Sequence, residues 1–202
     1  MTHLDISDNE LEGTIPSSTS AWANITYLNV ARNQITGPIP NGCSSWTRLR
    51  QLDMSDNNIA GSVPECVADW PSIERVNLER NRFVGNLSNA VGAWTNLCFL
   101  SLSHNLLSGT IPEAVGQWRS LEHINLASNR LVWPIPDGVG GWVNVREVVI
   151  HDTQLSGPIP EAVGNWTKVQ KVIMNDNKLS GPIPQAVATW RMKACRDITH
   201  TW

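Results

Sequence analysis

Every twenty-fourth residue of this 202-residue chain repeats its character, and the register never slips. Asparagine stands at 9, 33, 57, 81, 105, 129 and 177, with Thr153 the single departure. Tryptophan recurs at 22, 46, 70, 94, 118, 142, 166 and 190. A fixed period of this length marks a solenoid, in which each turn of chain cannot cover its own apolar edge and relies on its neighbours. The expectation is eight coils of 24 residues over 1–192. A degenerate coil or tail follows at 193–202, where Lys193 and Arg196 fall on positions that want apolar side chains although Ile198 still fits.

One coil reads LxxLxLxxNxLxGxIPxxVGxW, as in Leu97, Leu100, Leu102, Asn105, Leu107, Gly109, Ile111, Pro112, Val115, Gly116 and Trp118. Leu100, Ser101 and Leu102 alternate apolar with polar, which predicts a short strand with one buried face. Asn105 follows where the chain must turn, and a buried amide there can bond free backbone groups of its own and the adjacent coil. Gly109 and its equivalents Gly13, Gly37, Gly61, Gly85, Gly157 and Gly181 suit a turn with positive φ; Trp133 breaks that ladder. Pro112 and Glu113 open a short helical stretch, because proline tolerates the first helical position and an acid suits a helix N-terminus. The tryptophans keep phase with the buried leucines and are expected in the core. Stacked at about 4.8 Å per strand, the coils would build a rod or arc on the order of 40 Å long.

Composition excludes several functions. A formal charge of −3 gives no global field for nucleic acid, which needs clustered Lys and Arg to release counterions. No run approaches the roughly 20 apolar residues of a membrane-crossing helix, and Met1 to Asn9 lack the pattern of a signal peptide. His3, His104, His123, His151 and His200 are scattered over different coils, and the glycines are spread as turn formers, so neither a metal site, a cofactor site nor a phosphate loop is expected. His123 beside Glu147 is the nearest thing to a catalytic pair, and it lacks a positioned nucleophile. The chain is expected not to be an enzyme.

Because strand side chains alternate, outward positions form columns along the stack. One reads His3, Tyr27, Gln51, Arg75, Phe99, His123, Glu147, Lys171 and is mixed and large, as contact residues are. The next reads Asp5, Asn29, Asp53, Asn77, Ser101, Asn125, Val149, Ile173; its polar part predicts a hydrogen-bonding ladder, and Val149 with Ile173 predicts either an outward apolar partner patch or a contact for the tail. A third reads Asp8, Arg32, Asp56, Arg80, His104, Ser128, Asp152, Asp176, whose first four members alternate in sign and can satisfy one another. Arg75, Glu79, Arg80 and Arg82 make the densest charged group, in the fourth coil.

The motif LxxLxLxxNxLxGxIPxx, closely matched by GTIPEAVGQW and GPIPEAVGNW, resembles the plant-type leucine-rich repeat, and the resemblance covers residues 1–192. It implies an α/β repeat solenoid, a right-handed superhelix with a parallel concave sheet, a second short strand at LxGxIP, and short helical or 3-10 segments on the convex side. Tryptophan replaces the usual leucine of the helical segment, which is more similar to leucine-rich-repeat surface proteins of protists such as trypanosomatids. The role implied is recognition of a protein or glycan by the concave face, at the cell surface or secreted. The candidates are Tyr27, Arg32, Gln51, Asp53, Asp56, Arg75, Asn77, Glu79, Arg80, Phe99, His104, His123, Val149 and Ile173. A structural surface coat without a defined ligand and the ectodomain of a receptor kinase are the alternatives.

Asn24-Ile25-Thr26, Asn86-Leu87-Ser88 and Asn165-Trp166-Thr167 are acceptor triplets for N-linked glycans if the chain is secreted. Cys43 and Cys66 lie on the helical side of adjacent coils and could approach bridging distance, though buried small residues are the expected role; Cys195 is expected to be a free thiol. Leu4, Ile6, Leu11 and Ile15 present an uncovered face at the first coil. That face suggests either a fragment of a longer solenoid or end-to-end self-association through uncapped coils.

Overall fold

A computed structural model describes residues 1–190; the tail expected at 193–202, with Cys195, lies outside the described residues. Each coil gives a three-residue strand to a first parallel sheet: His3–Asp5, Tyr27–Asn29, Gln51–Asp53, Arg75–Asn77, Phe99–Ser101, His123–Asn125, Glu147–Val149 and Lys171–Ile173. Partners stand one full period apart, so Leu100 faces Ile124 and Ser101 faces Asn125. A second parallel sheet of eight strands runs from Glu12–Thr14 to Lys178–Leu179 along the opposite flank of the coil turn. Its register differs: Ser108 pairs with Arg130, two residues short of a period, so these strands are staggered. This is the parallel-sheet solenoid that the repeat predicts, with the second strand in place.

The helical segments are 3-10 turns of five residues, such as Glu113–Gln117 and Glu161–Asn165. Proline occupies the cap of seven of the eight and brings no side-chain acceptor; Ser88 is the exception and accepts the Ala90 N–H. Two of the four acids that follow proline work one coil further on. Glu113 Oε2 accepts the Gly138 N–H at 2.8 Å and Glu161 Oε2 accepts the Ala186 N–H at 3.2 Å. Each satisfies a first-turn donor of its neighbour's helix, where an anion is favoured.

Tryptophan fills the core. Trp46, Trp70, Trp94, Trp118, Trp142 and Trp166 are no more than 1% exposed. From Trp22 to Trp190 successive rings stack with centroids 5.7–6.3 Å apart. A buried indole needs a partner for its N–H, and each finds the helix carbonyl of the coil before: Trp118 Nε1 donates to Val91 O at 2.8 Å, and Trp94 Nε1 to Val67 O at 2.9 Å. On the other side of the coil Asn105 donates to Leu78 O, Leu102 O and Ser103 O and accepts from the Phe83 N–H at 2.9 Å. Thr153 keeps only a hydroxyl bond to Asn177 Oδ1. The seven ladder glycines have φ between +72° and +88°, and Trp133 holds φ +73° in the same turn although it carries a side chain.

Two expectations need correction. Cys43 and Cys66 form a disulfide with their Cα atoms 5.9 Å apart, not a pair of buried thiols. The stagger between adjacent helical turns brings residues one short of the period opposite each other, within the Cα range a disulfide requires. Val149 is only 9% exposed and Ile173 half-buried, so they do not present an open apolar patch. At the first coil Leu11 is 42% exposed, and Leu4, Ile6 and Ile15 are half-buried around an apolar hollow beside Trp22.

Candidate functional site

The pleat that buries Leu28, Leu52, Val76, Leu100 and Ile124 turns the residues on either side of them outward, so the first sheet displays two columns side by side. Six of the expected recognition residues, Tyr27, Gln51, Asp53, Arg75, Asn77 and Phe99, line one hollow of 130 Å³. Glu79, Phe99, His123 and Val149 share a second hollow of 140 Å³ with Ser101, Asn125 and Glu147. Phe99 is the ridge between the two.

The first hollow is cationic and aromatic on its open side. The Arg75 guanidinium lies over the Phe99 ring, 4.3 Å from its centroid, and His3 stacks flat on Tyr27 at 4.2 Å. Among the described residues no carboxylate pairs with Arg75, which leaves its fork of donors for a ligand. Asp53 and Asn77 are occupied in building the wall. Asp53 accepts from the Ser55 N–H and hydroxyl and from Asn77 Nδ2 at 3.1 Å, while Asn77 Oδ1 accepts the Glu79 N–H. The expected polar ladder exists in such pairs, Asn29 with Asp5 and Asn77 with Asp53, and each also fixes the turn after its own strand.

The second hollow is acidic. Glu79 accepts from Ser101 Oγ at 3.0 Å. Glu147 meets Lys171 Nζ at 2.7 Å and His123 Nδ1 at 3.4 Å, forming a chain of charge across three coils. The Lys171 ammonium bonded to Glu147 holds that carboxyl below the usual glutamate range, and His123 adds to the effect. The His123–Glu147 contact is thus part of an ion-pair column.

Arg32, Asp56, Arg80 and His104 lie at the rim instead. Their whole column, from Asp8 to Asp176, sits in left-handed turns with φ between +51° and +55°. Nothing in Arg32, Arg80 or Ser128 signals that conformation, so the reading from sequence missed it. Arg32 grips Asp8 with both nitrogens and Arg80 lies 3.7 Å from Asp56, as the alternating signs predict. The Asp8 carboxyl is held low by its bond to Arg32, but the pair is exposed and contributes little. Arg82 leaves the expected charged group, because it begins the second-sheet strand Arg82–Gly85. Ile173 lines neither hollow. Asn24, Asn86 and Asn165 are all exposed. Asn125 and Glu147 were readable as column members, yet their place in the second hollow depends on depth that a column does not reveal.

Among the described residues no group of three His, Cys, Asp or Glu stands ready to hold a metal ion, and no helix is long and apolar enough to cross a membrane. The sequence model of the leucine rich repeat family matches residues 1–59 and 71–131, more than half of the chain. Among curated proteins none matches. The ectodomain of the Arabidopsis thaliana membrane receptor kinase GASSHO1/SCHENGEN3, solved with CASPARIAN STRIP INTEGRITY FACTOR 2, superposes with a TM-score of 0.90 at 28% identity over 94% of this chain and 23% of its own. The Arabidopsis receptor kinase HAESA, solved with the peptide hormone IDA and the co-receptor SERK1, gives 0.91 at 29% identity over 95% and 32%. A plant ice-binding protein shares the fold at a TM-score of 0.83 and 23% identity, over 96% of this chain and 62% of that one. The chain therefore spans a third or less of the two receptor ectodomains.

Proposed function

The chain belongs to the leucine-rich-repeat family, and from that premise we propose that it is a non-catalytic recognition module that binds a peptide or a protein segment across the first sheet. The observation that carries this reading is the pair of hollows on either side of Phe99, one with Arg75, which meets no carboxylate among the described residues, and the other with Glu79 and Glu147. A guanidinium that meets no carboxylate among the described residues, one strand spacing from an aromatic ridge, suits an extended segment carrying a carboxylate or C-terminus over Arg75. The receptor kinase HAESA, a structural neighbour solved with a peptide hormone, supports the same use of the fold.

An extracellular or cell-surface setting accompanies the reading. The Cys43–Cys66 disulfide supports it, since such bonds persist in oxidising compartments. A place within a receptor ectodomain is the form favoured by these neighbours. Kinship with Trp-bearing protist surface proteins rests on the tryptophan ladder alone. The test is to pan a random-peptide display library on the purified protein and to remeasure the selected binders on Arg75→Ala, Phe99→Ala and, as a control away from the first sheet, Arg119→Ala. Truncating a central anchor costs about 2 kcal/mol or more, roughly thirtyfold in Kd. Unchanged affinity in both Arg75→Ala and Phe99→Ala would remove the first sheet from consideration.

A further inference from the structure

A cavity of 550 Å³ lies away from the first sheet, on the flank of the second. Trp133, Pro134, Pro136, Pro112, Glu113 and Asn86 are among the residues that line it. Two departures from the repeat face each other across it. Trp133 replaces the ladder glycine in one coil, and there it is 62% exposed at φ +73°. A bulky residue in that region is strained, and such strain gathers at functional positions. Two coils earlier, Gly-x-Ile-Pro becomes Gly85-Asn86-Leu87-Ser88, and Ser88 is the one cap that is not proline. That exchange creates the acceptor triplet. Between the two, Gly109 keeps the space open, since a Cβ there would lie 2.9 Å from the Asn86 Cβ.

The other two triplets lack these features. Asn24 lines none of the cavities that hold an exposed aromatic ring, and Asn165 Nδ2 is engaged with Gly140 O at 3.0 Å. Asn86 is exposed and makes no side-chain hydrogen bond among the described residues.

We propose that Asn86 carries an N-linked glycan whose first sugars lie in this cavity against the face of Trp133. The inference rests on the extracellular setting proposed above. In the transfer, Nδ2 of Asn86 forms the bond to C1 of an N-acetylglucosamine, the lipid-linked pyrophosphate donor leaves from that carbon, and the amide gives up one proton to the transferase. Asn86 and Trp133 are two coils apart, about 10 Å at the spacing of parallel strands, which a core disaccharide spans. The apolar face of a sugar ring then covers the indole, while Thr110, Asn89 and Glu113 stand around the cavity to meet its hydroxyls.

The experiment is secretion of the protein behind an added leader from a eukaryotic host, glycopeptide mapping, and hydroxyl-radical footprinting of Trp133 before and after enzymatic removal of glycans. Asn86 is expected to be occupied, and Trp133 to oxidise roughly tenfold more slowly with the glycan in place. Ser88→Pro restores the residue of the other coils and should abolish both effects without unfolding the chain. Trp133→Gly should leave Asn86 occupied while its glycan is removed faster. An empty Asn86, or equal oxidation of Trp133 in the two forms, overturns the proposal; so does protection of Trp133 only by added free oligosaccharide. Because the leader supplies the compartment and the readout lies on the flank, failure here is separate from failure of the peptide-binding test at Arg75.

Discussion

Trp118→Ala and Trp118→Phe together test whether the tryptophan ladder is what joins one coil to the next. Trp118 is 1% exposed, stacks between Trp94 and Trp142 at 6.1 and 6.3 Å, and donates to Val91 O at 2.8 Å. Emptying a large aromatic site costs about 3–5 kcal/mol. The lost indole bond adds about 1 kcal/mol, since Val91 O keeps the Trp94 backbone N–H and is not orphaned. Trp118→Ala should therefore lose about 5 kcal/mol, and Trp118→Phe about 1–2 kcal/mol for the missing donor and smaller ring. In a solenoid held by nearest neighbours a loss of that size at mid-stack separates the halves. Urea denaturation followed by circular dichroism should then show a lowered slope or two transitions for Trp118→Ala. Trp133→Gly is the matched control: it removes an exposed tryptophan and relieves positive φ, so it should stabilise by about 1 kcal/mol. If Trp118→Ala cost less than about 2 kcal/mol, or unfolding stayed a single transition of unchanged slope, the reasoning would be wrong.

Three further outcomes follow from single contacts. Thr153→Asn should stabilise by about 1–2 kcal/mol in thermal or urea unfolding, because an amide there can supply the bonds that Asn105 and Asn129 make to backbone groups of their own and the preceding coil. Replacing both Cys43 and Cys66 by alanine should cost about 3 kcal/mol, the loop entropy of a cross-link spanning 23 residues, and reductant should destabilise the parent but not the variant. Glu147 has a depressed carboxyl, so its ion pair stabilises above the ordinary glutamate value near 4.3 and is lost as pH falls through the lower folded-state value. Lys171→Met should move the Glu147 titration upward in NMR and remove that acid-side loss of stability; an unmoved midpoint would contradict the assignment.

The fold was readable because its determinants recur. Asn105 and Trp118 each have equivalents one period away, so their burial and bonding follow from position alone. The disulfide was not readable in the same way, since Cys43 and Cys66 are 23 residues apart and meet only through a stagger that the period does not express. The left-handed turns at Arg32, Arg80 and Ser128 were hidden for a different reason: backbone geometry imposed by the coil overrides what those side chains would choose. On the first sheet the outward columns were legible, but which members were free was not. Asp53 and Asn77 spend their groups on one another and on their own turns, whereas Arg75 rests on Phe99 with its donors open. The meeting of Asn86 and Trp133 was the least legible, because Trp133 and Ser88, which completes the Asn86 triplet, are lone exceptions to different columns and only the cavity relates the two coils.

The indole that reaches back to a carbonyl 27 residues earlier has a consequence for how such a chain can change in length. Growth by a whole coil returns every ring, amide and strand to an equivalent seat, so length is quantised in steps of the repeat. A single inserted residue between Trp118 and Trp142 would rotate everything downstream off its seats at once, whereas an added coil would lengthen the first sheet without disturbing what is already there.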